Sequence, residues 1–592
     1  MGALERIGEW LDERTGWRGA LREATEHPVA GGPSWASAMA AAVAACFGVL
    51  ALTGVALMTT YEPSPQSAWA SVFYVQFVQD RGWIVRGLHH WAAQGLVALA
   101  ALQVVHGAWA GGYRKPREVA WWLTLLLVAL AVGEGITGGL LPWDQRGWWA
   151  RVVEGNILGL APAVGGWLQR MMQGGPELGA IGLARAYTMH VALLPVAIAL
   201  VLAARRRLAR RAGWGGGAAT GPWAQQVARS VLVALFVVVA VFAATGWTRG
   251  APLDAPADPM SDYPARPEWF LLTLFELRKL CHGAGELWGT TLAPLAVAGY
   301  LALLPWIDRA GRPRALTVKL PLAAIVAGAL ALAVLPLRKD ARDARYAKQR
   351  AGADALAAAA VKLAMQGVPP EGALAMMRHD PELRGEALFE QHCASCHVLG
   401  DAGDARKATA AKLDGWGTPG WIAAMIHDPD APQFFGRGPY AEEMPSVDVR
   451  PAKKPADEPW SPTIASEAEK RAVAMFLAAQ GDEPGDPPRA VDAATRALGE
   501  KIVSERCTTC HLYGGQGDDD GSGIAPELRG YGSVAWTRAQ VADPATARTY
   551  RDQALDPKRK KHMPRFDGDL SAADVDLVAR WTRAHARGVP LR

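Results

Sequence analysis

The chain has 592 residues, a formal net charge of +5 and a mean hydropathy of +0.04. Such a length admits several domains, and a near-balanced charge with its basic residues in short loops argues against nucleic-acid binding. Four of the six cysteines sit in two Cys-x-x-Cys-His pentads, a usage that points to haem attachment rather than a disulfide framework.

The average hydropathy hides a division: the first 337 residues contain repeated apolar runs and the remainder almost none. Residues 1–35 come first. Met1 to Ala30 is charged and amphipathic, shows no cleavable signal peptide and reads as a surface helix. Membrane crossings of about 20 apolar residues are then predicted over approximately 36–60, 84–110, 119–141, 183–204, 224–247, 287–306 and 319–337. Many of the 24 tryptophans lie near the ends of these runs, where amphipathic rings favour the membrane interface. If the crossings alternate, Tyr113 to Arg117, Arg205 to Arg211 and Asp308 to Lys319 share one side. Their Lys/Arg excess makes that side, and the N-terminus, cytoplasmic. Seven crossings then deliver everything beyond Arg338 to the outer side, where c-type haem is attached outside the bacterial cytoplasmic membrane.

Residues 338–383 are rich in alanine and charge and read as a helical linker ending in Gly367-Val368-Pro369-Pro370. Beyond them the chain repeats itself over 384–485 and 486–592. Cys393-Ala-Ser-Cys396-His397 is followed by Trp421, Asp428-Pro429 and Met444-Pro445; Cys507-Thr-Thr-Cys510-His511 is followed by Trp536, Asp543-Pro544 and Met563-Pro564. Trp to Pro is eight residues in both copies (429 − 421, 544 − 536). In each pentad the two thiols can add to the haem vinyls while the adjacent imidazole reaches the iron. A structural zinc site would need two further ligands, and neither copy has a second Cys pair. With Gly385-Glu-Ala-Leu-Phe389 before the first pentad and Pro526-Glu-Leu528 after the second, both copies resemble class I cytochromes c. That resemblance implies a second axial ligand from a Met-Pro turn, a place that Met444 and Met563 match; thioether sulfur favours reduced iron. Met425, on an apolar-periodic stretch, reads as core.

Ionisable residues inside crossings default to functional candidates; the histidines there are His89, His90, His106 and His190. Trp83 to His89 with Arg86, the run Thr137 to Gln145, Tyr187 to His190 with Pro195, and Pro267-Glu268-Trp269-Phe270 resemble the cytochrome b subunit of Rieske/cytochrome b complexes. The resemblance covers about 30–337, as a haem-binding bundle over 36–215 and a three-helix part over 216–337, and lies closer to the chloroplast-type subunit than to the mitochondrial one. It implies two stacked b haems between the second and fourth helices, each helix supplying His at two levels 14 or 15 residues apart, with Gly at both levels of helices one and three. Fourteen residues rise about 21 Å and return to nearly the same face. The outer level is complete: His89, His190, Gly54 and Gly138. The inner level is not, because His89 + 14 is Gln103, His190 + 14 and + 15 are Ala204 and Arg205, Gly54 − 14 is Ala40 and Gly138 − 14 is Thr124. His106, 17 residues after His89, is turned about 100° from the haem face and reads as an interface or packing histidine, and His90 as a polar partner in the bundle. One haem b, bis-His and on the outer side, is therefore expected alongside two covalent His/Met haems c.

In the family quinol is oxidised near the outer haem, one electron going to a Rieske iron–sulfur protein and one to the b haems. The resemblance makes Glu268, between Pro267 and Trp269, the group that takes a proton from quinol, and Arg86 a haem-propionate partner. Glu134 is either a proton carrier or replacement-cofactor ligand, or a hydrogen-bonded polar site. Cys281-His282 reads as a packed thiol and Cys46 as an ordinary helix cysteine. No Rieske ligand pattern occurs, so that protein is a separate subunit. Without an inner haem the Q cycle is altered or absent. The expected protein is all-α: a seven-helix transmembrane bundle followed by two small helical cytochrome c domains. It is read as oxidising quinol in a larger complex of the bacterial cytoplasmic membrane, as a homodimer feeding a cytochrome c or terminal oxidase. The competing readings are an electron conduit or assembly subunit with a vestigial quinone pocket, and reverse flow from outer donors into quinone.

Overall fold

The computed structural model describes residues 2–19, 22, 29–30, 32–212, 220–221, 223–308, 313–436, 444, 446–448, 464–517, 525–546 and 563–591. They form two compact units, Met1–Met376 and Met377–Arg592. The first opens with α1 (Ala3–Thr15), which keeps Ile7 and Trp10 exposed. Strands β1 (Val29–Ala30) and β2 (Thr220–Gly221) pair antiparallel.

Seven helices among the described residues are long and apolar enough to cross a membrane, as the sequence predicts. In chain order the helical elements of this unit are α2 (Trp35–Met58), α3 (Ala68–Val78), α4 (Gly82–Ala110), α5 (Glu118–Leu140), α6 (Gln145–Gly159), α7 (Gly165–Gln173), α8 (Ala180–Arg211), α9 (Trp223–Thr248), α10 (Leu272–Leu280), α11 (Trp288–Ile307), α12 (Ala315–Asp340) and α13 (Ala344–Ala364). The crossings are α2, α4, α5, α8, α9, α11 and α12. Leu232, Leu235, Phe236 and Val239 stay exposed along α9, an apolar face suited to lipid.

Three crossings carry a five-residue π-helical turn: Met189–Leu193, Trp288–Leu292 and Ala315–Lys319. Each ends two residues before a proline: Pro195, Pro294 or Pro321. Proline lacks the N–H and crowds the carbonyl four residues back, and in each case that carbonyl lies within the widened turn. The first such turn contains His190.

Helix α2 packs on α4, α4 and α8 pack on α5, and α9 lies against α2 and α4. Their shared interior is an apolar plug of Val43, Leu96, Val97, Leu127, Ala131, Ile198 and Val201. Cys46 is buried in that plug, the ordinary packing position expected of it.

The second unit holds α14 (Pro381–His392), α15 (Pro419–His427), α16 (Glu467–Gln480), α17 (Ala493–Arg506), α18 (Val534–Ala542) and α19 (Ala572–Arg587). Each begins at a side-chain cap, Asp380, Thr418, Ser466, Asp492, Ser533 and Ser571 in turn, whose oxygen accepts a first-turn backbone N–H. The two repeats interleave. Helix α14 packs on α19 and α16 on α17, so the first helix of each repeat meets the last helix of the other.

Candidate functional site

The outer-level residues converge in the structure. His89 and His190 face one another with ring centroids 6.0 Å apart and planes at 70°. Allowing for the rings themselves, that gap fits one metal ion at ordinary metal–nitrogen distances of roughly 2 Å on each side. Both Nδ1 atoms are already engaged. Thr53 Oγ1 lies 2.9 Å from His89 Nδ1, while Glu134 Oε2 lies 2.7 Å and Thr137 Oγ1 3.3 Å from His190 Nδ1. Such partners orient an imidazole so that Nε2 is the atom presented to a metal.

The glycines make room. A Cβ on Gly54 would sit 3.3 Å from the His89 ring, and one on Gly138 2.6 Å from the His190 ring. Gly54, His89, Gly138 and His190 line a cavity of about 380 Å³ that also takes in Arg86, Glu134 and Glu268. This lining suits a flat porphyrin held between two imidazoles. Arg86 is buried; its Nη1 donates to Gln76 Oε1 at 2.8 Å and to the Ala251 carbonyl, and Nη2 donates to the Pro252 carbonyl at 2.6 Å. His90 lines the same cavity and meets the Trp91 ring edge-on.

The Pro142-to-Gln145 run positions Glu268 from a distance. Asp144 caps α6 by accepting from Gly147 N at 2.8 Å, and its second oxygen accepts from Asp254 N at 3.1 Å. Gln145 N donates to the Ala255 carbonyl at 2.8 Å. These bonds pin the loop after α9, which then delivers Glu268 and Phe270 to the cavity wall. Burial, with Asp254 adding to it, pushes the Asp144 carboxyl up to about 6. Glu268 Oε1 lies 3.5 Å from Arg146 Nη2, and Trp269 Nε1 donates to Gln94 Oε1 on α4 at 2.5 Å. Arg146 was not among the expected residues, although it directly follows the run that was.

Among the described residues the inner level holds no imidazole pair. Arg205 Nη2 donates to Gln103 Oε1 at 2.7 Å, both side chains buried, and Thr124 Oγ1 bonds back to the Ala120 carbonyl. A cavity of about 270 Å³ remains there, lined by Gln103, Thr124, Arg205, Arg117 and an exposed His106. The positions that would hold a second bis-His porphyrin do not fit one. Cys281 packs against Gly289, where a Cβ would lie 3.1 Å from the sulfur, as a packed thiol should.

In the second unit the pentads form near-identical tight turns. His397 N bonds to the Cys393 carbonyl at 2.9 Å and His511 N to that of Cys507 at 3.0 Å. His397 Nδ1 donates to the Ala411 carbonyl and His511 Nδ1 to the Pro526 carbonyl, both at 2.8 Å. This leaves Nε2 as the lone-pair nitrogen in each ring. Burial holds both imidazoles below the usual histidine range, in the neutral form that binds iron. Cys393, Cys396, Cys507 and Cys510 are free thiols, so the donor set suits covalent haem. Met563 and Cys393 pack against one buried cluster that includes Phe389 and Trp581, whereas Met444 packs against Met425, Ala431 and Phe434. Met425 is buried, the core residue expected.

Comparison with known proteins agrees. The family described as "Cytochrome b/b6/petB" matches residues 28–209, "Cytochrome c" matches 383–480, and "Cytochrome C oxidase, cbb3-type, subunit III" matches 494–581. Over 222 residues the chain is 35% identical to the "Menaquinol:cytochrome c reductase cytochrome b subunit" of Geobacillus thermodenitrificans, covering 36% of this chain and 99% of that one. "Cytochrome b6" of Synechococcus elongatus is 31% identical over 213 residues, again 36% of this chain and 99% of the relative. With helices, motifs and relatives in accord, the chain belongs to the cytochrome b family, its b-type bundle continued into cytochrome c domains in the same polypeptide.

Proposed function

We propose that this chain is the quinol-oxidising electron-transfer subunit of a cytochrome bc-type complex, acting with a separate Rieske protein. Electrons would pass through its own c haems to a cytochrome or terminal oxidase. The observation that carries this reading is the shared cavity: Glu268 lines the same space as His89, His190, Gly54 and Gly138. A haem b held by the two imidazoles would supply a one-electron acceptor there.

Quinol oxidation releases two electrons and two protons. Glu268, partly exposed at the edge of an apolar cavity, is placed to take one proton from a quinol hydroxyl and return it to water. Pro267 restricts the backbone before the carboxylate, and Trp269 ties the backbone after it to α4. The Arg205–Gln103 pair supports a single b haem and hence an altered or absent Q cycle. The charge bias of the loops supports a cytoplasmic N-terminus, with the second unit on the outer side of a bacterial membrane. A homodimer within the complex follows from the family alone.

The Arg146–Glu268 pair is the observation that favours the conduit reading, since an ion-paired carboxylate can serve the loop alone. Quinol-dependent reduction of the c haems separates the two. Glu268→Gln is expected to slow it on the order of 10²-fold, whereas an unchanged rate would leave the conduit.

A further inference from the structure

We infer that the two covalent haems are capped crosswise, Met563 serving the haem attached at Cys393–His397 and Met444 the haem attached at Cys507–His511. The inference rests on both pentads carrying haem, and it assigns to each haem an axial methionine from the other repeat. Sequence order suggests the opposite, His397 with Met444 and His511 with Met563.

A haem fixed through its thioethers needs a core on its second face, and the cores of this unit are mixed. One contains Leu388, Phe389, Leu399 and Trp416 from the first repeat with Val541, Phe566, Val578 and Trp581 from the second; both Cys393 and Met563 pack against it. The other contains Ile502, Val503 and Leu528 from the second repeat with Ile422, Ile426, Val473 and Phe476 from the first; Cys507 and Val447 pack against it. Val447 lies three residues after Met444. Ser446, between them, donates to the His427 carbonyl at 2.8 Å, tying this turn to the end of α15. Helix α15 in turn packs on α16, the partner of α17. Met563 is held from α18, where Gln540 Nε2 approaches its sulfur at 3.4 Å.

The helix crossings give an independent line. A Cβ on Gly385 of α14 would lie 2.5 Å from the Trp581 ring of α19, and one on Gly499 of α17 would lie 2.5 Å from Phe476 of α16. Arg384 pairs with Asp574 at 3.1 Å and Arg506 with Glu469 at 2.9 Å. Each pentad directly follows the first helix of its repeat, so the helix packed against that first helix comes from the other repeat. The connection from Gln480 to Ala493 is short, and helices joined by short connections become neighbours.

The test uses the full chain with Cys393→Ala and Cys396→Ala, which retains only the second covalent haem. Its oxidised form is read for the Met-to-iron charge-transfer absorption, with covalent haem counted by a haemochrome assay. Met444→Leu is expected to abolish that absorption and Met563→Leu to leave it intact. Loss on Met563→Leu instead, or no loss with either substitution, overturns the assignment. A parent without covalent haem would overturn the haem reading itself, and the haemochrome count reports that separately. A second measurement needs no haem variant: a photo-reactive phenylalanine analogue replacing Arg384 in the otherwise unaltered chain. An adduct with the 572–587 peptide is expected, and an adduct with 467–480 overturns the pairing.

Discussion

The two levels of the four-helix bundle are built on the same helices at the same register, and they diverge completely in chemistry. At one level, imidazoles from α4 and α8 face each other at 6.0 Å across a cavity that two glycines keep open. At the other, the same two helices present Gln103 and Arg205, which close on each other at 2.7 Å. A helix pair that can hold a flat cofactor between two lone pairs has become one that holds itself together with a charge-assisted hydrogen bond. Binding capacity in this bundle is therefore a property of a few side chains at each level and not of the helical frame.

Four substitutions probe that contrast. The largest effect is expected from Gly138→Val, whose side chain must occupy the place of the His190 ring; the b haem is lost while both c haems remain, as a haemochrome ratio reads. Gln103→Leu removes the acceptor of the Arg205 bond. It is expected to destabilise the folded bundle by roughly 1.5–3 kcal/mol, seen as a lower Tm in detergent with b-haem content unchanged.

Glu134→Gln keeps the shape beside His190 and removes the charge. A negative carboxylate beside the ligating imidazole favours ferric iron, so the midpoint potential of the b haem should rise by on the order of 60 mV, the one-electron equivalent of a tenfold change. The smallest effect belongs to Asp144, whose carboxyl titrates near 6 in the folded chain against 3.8 in the free side chain. The folded state then binds the proton more tightly, so this group's contribution is fully present below 3.8 and is lost as pH rises through about 6. Asp144→Asn keeps the acceptor for Gly147 and should flatten that part of a stability-versus-pH profile.

The crossings, the pentads and the histidine level were all legible, because each rests on a local pattern: apolar length, contiguous motif or helical period. Gly54 and Gly138 were picked out only through the cytochrome b resemblance, and the structure sets each beside an imidazole ring. Arg146 was missed because its role depends on where a loop more than a hundred residues later returns. Glu134 stood out as an intramembrane carboxylate, but its 2.7 Å approach to His190 depends on the relative rotation of α5 and α8, which no single helix encodes. The interleaving of the repeats was illegible for a different reason. Gly385 faces an aromatic residue on a closing helix under either pairing, since Phe476 and Trp581 occupy equivalent places. Two near-copies of one pattern make two arrangements locally equivalent, and only the tertiary path separates them.

The α14–α19 crossing also sets an order on synthesis. Pro381 leaves the ribosome 191 residues before Ala572 (572 − 381), yet Phe389 is sealed only when the final helix arrives. Until then the nascent first half carries an exposed apolar seam, a long-range closure of the kind that folds slowly and invites aggregation. A nonsense codon shortly before Ala572 would accordingly leave the seam around Phe389 open, while the core around Phe476 and Val503 is already complete by Leu528.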